Sequence, residues 1–205
     1  KARKNLEADA RNLDFAEAKS QAGEIWNRKL SVIEVQGGTQ KQKINFYTSL
    51  YRAMLWPPVI SDADGQYRIG EQIYYTNREY YAAPPLWDAF RNHMPLFTII
   101  EPEVKVNILR SFLERAEKRG WMGTQFQGNH AASVFASSLL AGLDEFDVEK
   151  AYYFLKRNQT DTAGPVPYLH DFINLGYIAT VEPPPDDYRS SPHRSSVAKT
   201  LEYSY

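Results

Sequence analysis

The sequence predicts an all-α fold made of consecutive helical hairpins. Three observations support this prediction. Apolar residues recur three and four positions apart over most of the chain, glycine or proline follows most of these stretches, and only Ser61 to Tyr80 has short runs typical of strands. Repeated helical hairpins often close into a ring of inner and outer helices, with a pocket where the long loops meet. We therefore expect helical hairpins and one long loop with room for a small β-hairpin.

The first 58 residues predict two helices joined by a short turn. Apolar positions from Leu6 to Ile33 follow a helical spacing and predict one long amphipathic helix, which the pair Gly37-Gly38 ends. Thr39, followed three residues later by Gln42, has the form of a capping box for a second helix. Two prolines close that helix, so this part of the chain predicts a helical hairpin.

The middle of the chain predicts a loop followed by two helices. Asp64-Gly65 is a turn signal within the strand-like stretch. The residues from Leu86 to Ile100 have a helical pattern with an interruption at Pro95. Pro102 is well suited to open the next helix, and Gly120 to stop it.

The last third of the chain predicts shorter helices separated by loops. One helix ends at Gly142, and Asp147 can cap the helix that follows it. A short helix is expected within Pro165 to Leu175, and the proline-rich segment after it predicts a loop. Ser195 or Ser196 can cap a last predicted helix, which continues to Tyr205.

Composition excludes several classes of function. The 205 residues include 24 Lys plus Arg, 25 Asp plus Glu and no cysteine, which gives a net charge of −1. A chain without cysteine has neither a disulfide framework nor a thiolate metal site. Near-zero net charge argues against nucleic acid or a membrane surface as a partner. No apolar run has the length of a membrane span and no signal peptide is recognisable, so we expect this chain, as given, to be soluble.

One acidic stretch partly matches a calcium-binding loop. Asp62, Asp64, Gly65 and Glu71 occupy the third, fifth, sixth and twelfth positions of a helix-loop-helix calcium loop. The first position is Ile60, which cannot bind a cation. A plain turn is therefore the favoured interpretation.

Histidine offers one candidate ligand-binding group. His130 lies in Gly128-Asn129-His130-Ala131 at a predicted helix start, where backbone N–H groups and a neutral imidazole can contact a ligand's oxygen atoms. A capping or core histidine is the alternative. His93 and His170 each lie near an aspartate but lack a third ligand, so no zinc site is expected.

Carboxylates next to aromatic residues suggest a sugar site. Asp88 and Arg91 are three positions apart and follow Trp87, which offers a flat apolar surface. Sugar C–H groups stack on aromatic rings, while a carboxylate and a guanidinium bind vicinal hydroxyls. A surface ion pair beside a buried tryptophan is the alternative. Glu202, beside Tyr203, is either an ordinary helical glutamate or a buried acid.

Several segments together resemble one family, the exo-acting α-mannosidases of glycoside hydrolase family 92. Any one of them is weak alone, but their order and rough spacing run through nearly the whole chain. The segments are Phe46-Tyr47-Thr48-Ser49-Leu50-Tyr51-Arg52, the turn from Asp62 to Tyr67, Trp87-Asp88-Ala89-Phe90-Arg91, Gly128-Asn129-His130-Ala131 and Thr200-Leu201-Glu202-Tyr203-Ser204-Tyr205.

The resemblance implies a fold and a mechanism. Family members have a β-sandwich followed by a catalytic (α/α)6 toroid, and use calcium to hydrolyse terminal α-linked mannose with inversion. Residues 1–205 would then be a partial catalytic domain, without the sandwich and without the later part of the toroid. The calcium ligands and the general base would lie outside the chain, which leaves no metal ligands within it.

The resemblance also assigns roles to residues. Glu202 resembles the general acid, and Trp87, Asp88, Arg91 and His130 would bind the mannose. The partners would be a mannose-containing glycan and the remainder of the chain's own catalytic domain, and the location would be periplasmic or secreted. The loop between Trp121 and Gly128 is shorter than is common in the family. This departure leaves a catalytically degenerate, carbohydrate-binding member as an alternative, and an all-helical interaction protein is a further one.

Overall fold

The computed structural model describes residues 1–10, 13–124, 129–166 and 168–178. The chain divides into two compact units, Lys1–Ala82 and Ala83–Tyr205. Across the described residues the structure is predominantly helical, and its only sheet has two strands. The prediction of an all-α fold is therefore confirmed.

The described residues of the first unit form three helices and a β-hairpin. Helices α2 and α3 form the predicted helical hairpin, in which the rings of Trp26 and Tyr51 meet edge to face with centroids 4.4 Å apart. Tyr47 of α3 closes the connection, because its hydroxyl donates to the carbonyl of Ile33 over 3.0 Å. The elements are α1 (Ala2–Ala10), α2 (Phe15–Leu30), α3 (Gln40–Met54), β1 (Gln66–Ile69) and β2 (Gln72–Tyr75).

The predicted single first helix is wrong, since the structure has two helices there. Asp14 caps α2 by accepting a hydrogen bond from the backbone N–H of Glu17, whose side chain accepts one from the Asp14 N–H in return. This capping box starts a new helix inside a continuous apolar pattern. Helix α2 also ends at Leu30, before the two glycines. The second predicted capping box, Thr39 with Gln42, is confirmed.

The strand-like stretch forms the predicted small hairpin, and Asp64-Gly65 lies just before its first strand. Strands β1 and β2 are antiparallel with Ile69 opposite Gln72, so the hairpin turn itself is Gly70-Glu71. Gly65 has φ +78°, and a Cβ there would lie 2.1 Å from the carbonyl oxygen of Thr76. Only glycine fits this position.

The acidic loop before β1 is held by the side chains of Lys1, which precedes α1, and of Asn5 on α1. The amide of Asn5 donates to Asp62 over 2.8 Å, and the ammonium group of Lys1 contacts Asp62 and Asp64 at 3.2 and 3.1 Å. The hydrogen bond from Asn5 lowers the pKa of Asp62, and that from Lys1 lowers the pKa of Asp64. The loop is thus a turn with internal partners, as the favoured interpretation holds.

The second unit contains six described helices, and Val166, Leu169 and Ile178 form a separate small cluster at its end. Helix α5 packs on α6 and α7, and α8 packs on α6, α7 and α9. Helix α6 supplies much of the core with Val106, Ile108, Leu109, Phe112, Leu113 and Ala116. The elements are α4 (Leu86–Ala89), α5 (His93–Ile100), α6 (Pro102–Arg119), α7 (Ala131–Leu140), α8 (Val148–Thr160) and α9 (Leu169–Leu175).

In the second unit the predicted boundaries hold at α6 and α8, Gly142 follows the end of α7 as predicted, and α9 lies within the predicted range from Pro165 to Leu175. Pro102 opens α6, the left-handed Gly120 ends it, and Asp147 caps α8 through the N–H of Lys150. The predicted interruption at Pro95 is wrong, because Pro95 lies in the first turn of α5, where proline is tolerated. The break comes earlier, between α4 and α5. The predicted last helix after Ser195 lies outside the described residues.

The chain that follows α6 is anchored by two side chains of α8. The Arg157 guanidinium stacks on the ring of Trp121 at 3.9 Å from its centroid and donates to the carbonyl of Gly120 over 2.9 Å. The buried amide of Asn158 donates to the carbonyl of Met122 over 2.8 Å. These contacts hold the start of the loop that leads to His130. Among the described helices none has the length and hydropathy required to cross a bilayer.

Candidate carbohydrate site

Trp87 and Asp88 of helix α4 and Arg91, two residues after that helix, lie on the surface of the second unit. Helix α4 is a single turn that begins after Pro85, and its buried side is made by Leu86 and Ala89. Since Leu86 and Ala89 are three positions apart, the residues between them are directed away from the core. Trp87 is accordingly 40% exposed, and Asp88 and Arg91 are exposed too. This excludes the interpretation of Trp87 as a buried core residue.

His130 joins the same cluster from the start of α7. Its ring stacks on Phe90 with centroids 4.3 Å apart and meets Trp87 edge to face at 5.7 Å. The Arg91 guanidinium lies 4.8 Å from the centre of the Phe90 ring. Trp87, Phe90, Arg91 and His130 therefore form one continuous group, which we call the aromatic cluster. Segments forty residues apart in sequence meet here, as the prediction of a shared site requires.

The position of His130 excludes one of its alternatives, a capping role. It occupies the N-cap position of α7 but makes no side-chain capping hydrogen bond, so it is not a capping histidine. Its residue exposure is only 4%, and its ring lies against Phe90. In this arrangement His130 supports the exposed rings. Direct contact between His130 and a sugar stays a prediction.

Asp88 and Arg91 do not form the expected surface ion pair. Helix α4 ends at Ala89, so Arg91 lies beyond the helix and the two side chains do not share a helical face. The carboxylate of Asp88 makes no hydrogen bond or ion pair with any residue the structure describes, whereas Arg91 engages the Phe90 ring. An exposed carboxylate and a guanidinium beside an aromatic surface are able to bind vicinal hydroxyls.

Two further residues belong to this region. Phe90 was not singled out from the sequence, although it lies three positions after Trp87 in the same motif, a spacing that could have indicated it. Asn129 is 4% exposed, and neither polar atom of its amide has a hydrogen-bond partner among the described residues. Burying an amide without a hydrogen-bond partner lowers the stability of the folded chain.

Two further predicted groups remain, Glu202 and the calcium-loop candidate. Glu202 lies outside the described residues. Within the described ranges, no three His, Asp or Glu side chains are grouped so that they could bind a metal. The calcium-loop candidate from Asp62 to Glu71 is the turn held by Lys1 and Asn5. The described residues therefore do not fit a calcium site, and no chemical step is assigned to calcium.

An all-helical domain that presents a tryptophan beside a carboxylate and a guanidinium has the features of a carbohydrate-binding domain. The chain belongs to glycosyl hydrolase family 92, since the model of that family's catalytic domain matches residues 1–205. The resemblance seen in the sequence is thus confirmed. No curated protein matches the sequence.

Solved structures of the same family share this fold. A family GH92 α-mannosidase from Bacteroides thetaiotaomicron, in complex with mannoimidazole, superposes with a TM-score of 0.84 and 28% identity over 100% of this chain. A family GH92 inverting mannosidase from the same organism gives a TM-score of 0.83 and 25% identity over 98% of this chain. The chain spans 27% and 28% of the length of these two relatives.

Proposed function

We propose that the chain is part of the catalytic domain of an exo-acting α-mannosidase, which removes terminal α-linked mannose from glycans with inversion. The observation that carries this proposal is the aromatic cluster with Asp88 beside it. Family membership and the two mannosidases of similar fold support mannose as the sugar.

In the proposed site, Trp87 offers its exposed ring to the C–H groups of the sugar. The Asp88 carboxylate accepts hydrogen bonds from hydroxyls, and Arg91 donates to neighbouring hydroxyl oxygens. His130 lines the site and holds Phe90 in place through ring stacking. These residues bind and orient the mannose, and none of them takes part in proton transfer.

Glu202 is the proposed general acid, which protonates the departing glycosidic oxygen. Inversion also requires a carboxylate base on the other side of the sugar, about 6.5–9.5 Å from the acid, so that a water molecule fits between them. We propose that this base and the calcium ligands come from the remainder of the catalytic domain. The proposed location of the enzyme is periplasmic or extracellular.

The test of this site is the substitution Asp88→Ala in an enzyme that contains the complete catalytic domain. Loss of the carboxylate should lower kcat/KM for an α-mannoside by about 5- to 150-fold, which corresponds to about 1–3 kcal/mol of lost hydrogen bonding. Asp144→Ala is the matched control, because Asp144 is exposed in the turn between α7 and α8. Unchanged kinetics in a folded Asp88→Ala variant would exclude Asp88 from the sugar site.

The second candidate function is a carbohydrate-binding protein that has lost turnover. The segment between Trp121 and Gly128, which is shorter than is common in the family, favours this candidate, because such a departure can alter specificity or catalysis. Mannoside binding that depends on Asp88, without any hydrolysis by the complete protein, would support it over the enzyme.

A further inference from the structure

The ring of Trp121, which follows the end of α6, lies beside the end of α8. The guanidinium carbon of Arg157, in the last turn of α8, is 3.9 Å from the centre of that ring. The Nη1 group of Arg157 also donates to the carbonyl of Gly120 over 2.9 Å. A guanidinium over an indole ring is a favourable cation–π contact. One side chain of α8 thus holds both the ring of Trp121 and the backbone just before it.

The turn after α8 brings a glycine against the same ring. Asp161 organises this turn, because its carbonyl accepts from the N–H of Gly164 over 3.0 Å and its carboxylate accepts from the N–H of Ala163 over 3.1 Å. The same carboxylate lies 3.4 Å from Nε of Arg157. A Cβ atom at Gly164 would lie 2.5 Å from Cζ3 of Trp121, well inside the contact distance of two carbon atoms. Any larger residue at position 164 therefore displaces the ring of Trp121.

The residue after Trp121 is fixed by α8 as well. Met122 is fully buried, and its carbonyl accepts a hydrogen bond from the buried amide of Asn158 over 2.8 Å. Arg157 and Asn158 are consecutive, so one turn of α8 holds three consecutive residues of the chain after α6. We call Arg157, Asn158 and Gly164, together with the ring of Trp121, the Trp121 anchor.

The Trp121 anchor lies close in sequence to the aromatic cluster. Six residues separate Met122 from Asn129, and His130 follows. A connection of this length spans at most roughly 25 Å, at about 3.5 Å per residue. At its far end, His130 is 4% exposed and stacks on Phe90, and the helix that it opens, α7, packs on α8. A displacement of Trp121 therefore changes where a short connection begins, few covalent bonds away from His130.

We propose that Trp121 is a positioning residue of the sugar site. The Trp121 anchor sets the path of the chain into α7 and thereby the place of His130 in the aromatic cluster. In this assignment Trp121, Arg157 and Gly164 touch neither the sugar nor the reacting groups, and they act on sugar binding only through His130. The inference rests on the proposed function, because it requires that the aromatic cluster binds the sugar.

The test uses an enzyme that contains the complete catalytic domain, with Gly164→Ala, Trp121→Leu and the two substitutions combined. Gly23→Ala on α2 is the control, because a Cβ atom there meets no other atom within 4 Å. The measured quantities are kcat and KM for an aryl α-mannoside and the Kd of methyl α-mannoside by calorimetry, with circular dichroism as the check of folding. Arg157→Met, which removes the guanidinium without adding bulk, replaces Gly164→Ala if that variant does not fold.

We expect Gly164→Ala to raise KM and Kd by about tenfold and to change kcat by less than about twofold, since a displaced binding surface weakens the ground state and the transition state alike. In the Trp121→Leu background, Gly164→Ala should have no further effect, because the ring that it displaces is gone. Folded variants with lower thermal stability but unchanged KM and Kd would overturn the inference and leave the proposed function standing. A wild type that neither binds nor hydrolyses mannosides would overturn the proposed function, and this inference with it.

Discussion

Lys105 lies in an environment that its charged side chain does not favour. It lies on the buried side of α6 and is only 1% exposed, and its ammonium group makes no hydrogen bond or ion pair with the described residues. Burial lowers the pKa of Lys105 from 10.5 to about 8. The charged form is therefore disfavoured in the folded chain relative to the unfolded chain.

This environment predicts that stability rises with pH. Between about pH 8 and 10.5 the unfolded chain holds a proton that folded Lys105 has released, so the free energy of unfolding increases across this interval. Below pH 8 both states are protonated and the cost of burial is constant. Lys105→Met should increase the free energy of unfolding at pH 7 by on the order of 3 kcal/mol. The same substitution should remove most of the increase in stability between pH 8 and pH 10.5.

The measurement is urea unfolding of the wild type and Lys105→Met between pH 7 and pH 10.5. Lys41→Met on α3 is the control, because Lys41 is exposed and its removal should leave the pH dependence intact. A lower stability of Lys105→Met at pH 7 would mean that the ammonium group has a favourable partner.

Among the elements, α8 is the one that joins the core to the loop before His130. The amide of Asn158 is fully buried and donates to the carbonyl of Met122. Asn158→Ala leaves that carbonyl without this donor, so we expect the free energy of unfolding to fall by about 1–3 kcal/mol. Asn107→Ala on α6 removes the same amide from a half-buried position, so it should lower the free energy of unfolding by less than Asn158→Ala does. Chemical denaturation compares the two, and equal losses would contradict a special role for Asn158.

The elements also show which parts of the fold the sequence predicts. Capping residues and glycines placed most boundaries of α3, α6 and α8, because such signals act over a few neighbouring residues. Apolar spacing continues from α1 into α2, so it does not reveal the capping box at Asp14 that separates them. Pro95 does not mark the break before α5, because proline in the first turn of a helix is tolerated.

For the candidate site, the sequence predicts which residues lie together but not all of the contacts between them. Motifs indicated Trp87, Asp88, Arg91 and His130, and the structure brings Trp87, Arg91 and His130 into one cluster. The sequence does not predict that the ring of Phe90 contacts both Arg91 and His130. That contact depends on how the end of α4 meets the start of α7. Spacing suggested an Asp88–Arg91 pair only on the assumption that the helix continued.

At the scale of the whole molecule, the chain spans about a quarter of the length of its solved relatives. We propose that the base and the calcium ligands belong to the remainder of the domain. The 205-residue chain by itself should then show no hydrolysis of an aryl α-mannoside, with or without calcium, because half of a catalytic constellation cannot perform an inverting displacement. Calcium-dependent turnover by this chain, in a preparation free of other mannosidases, would contradict the prediction.

We propose that the complete catalytic domain hydrolyses α-mannosides with Glu202 as the general acid. An acid that delivers a proton must remain protonated near the working pH, and glutamine keeps its shape without a proton to give. The most direct measurement is turnover by Glu202→Gln, in the complete catalytic domain, on two substrates. One is a disaccharide with a poor leaving group, and the other is an activated aryl or fluoride mannoside that needs little protonation.

We predict that Glu202→Gln lowers kcat on the disaccharide by roughly 10²- to 10⁴-fold and leaves binding nearly intact. The loss on the activated mannoside should be clearly smaller. Equal losses on the two substrates, or near-normal activity on both, would contradict the assignment of Glu202 as the acid.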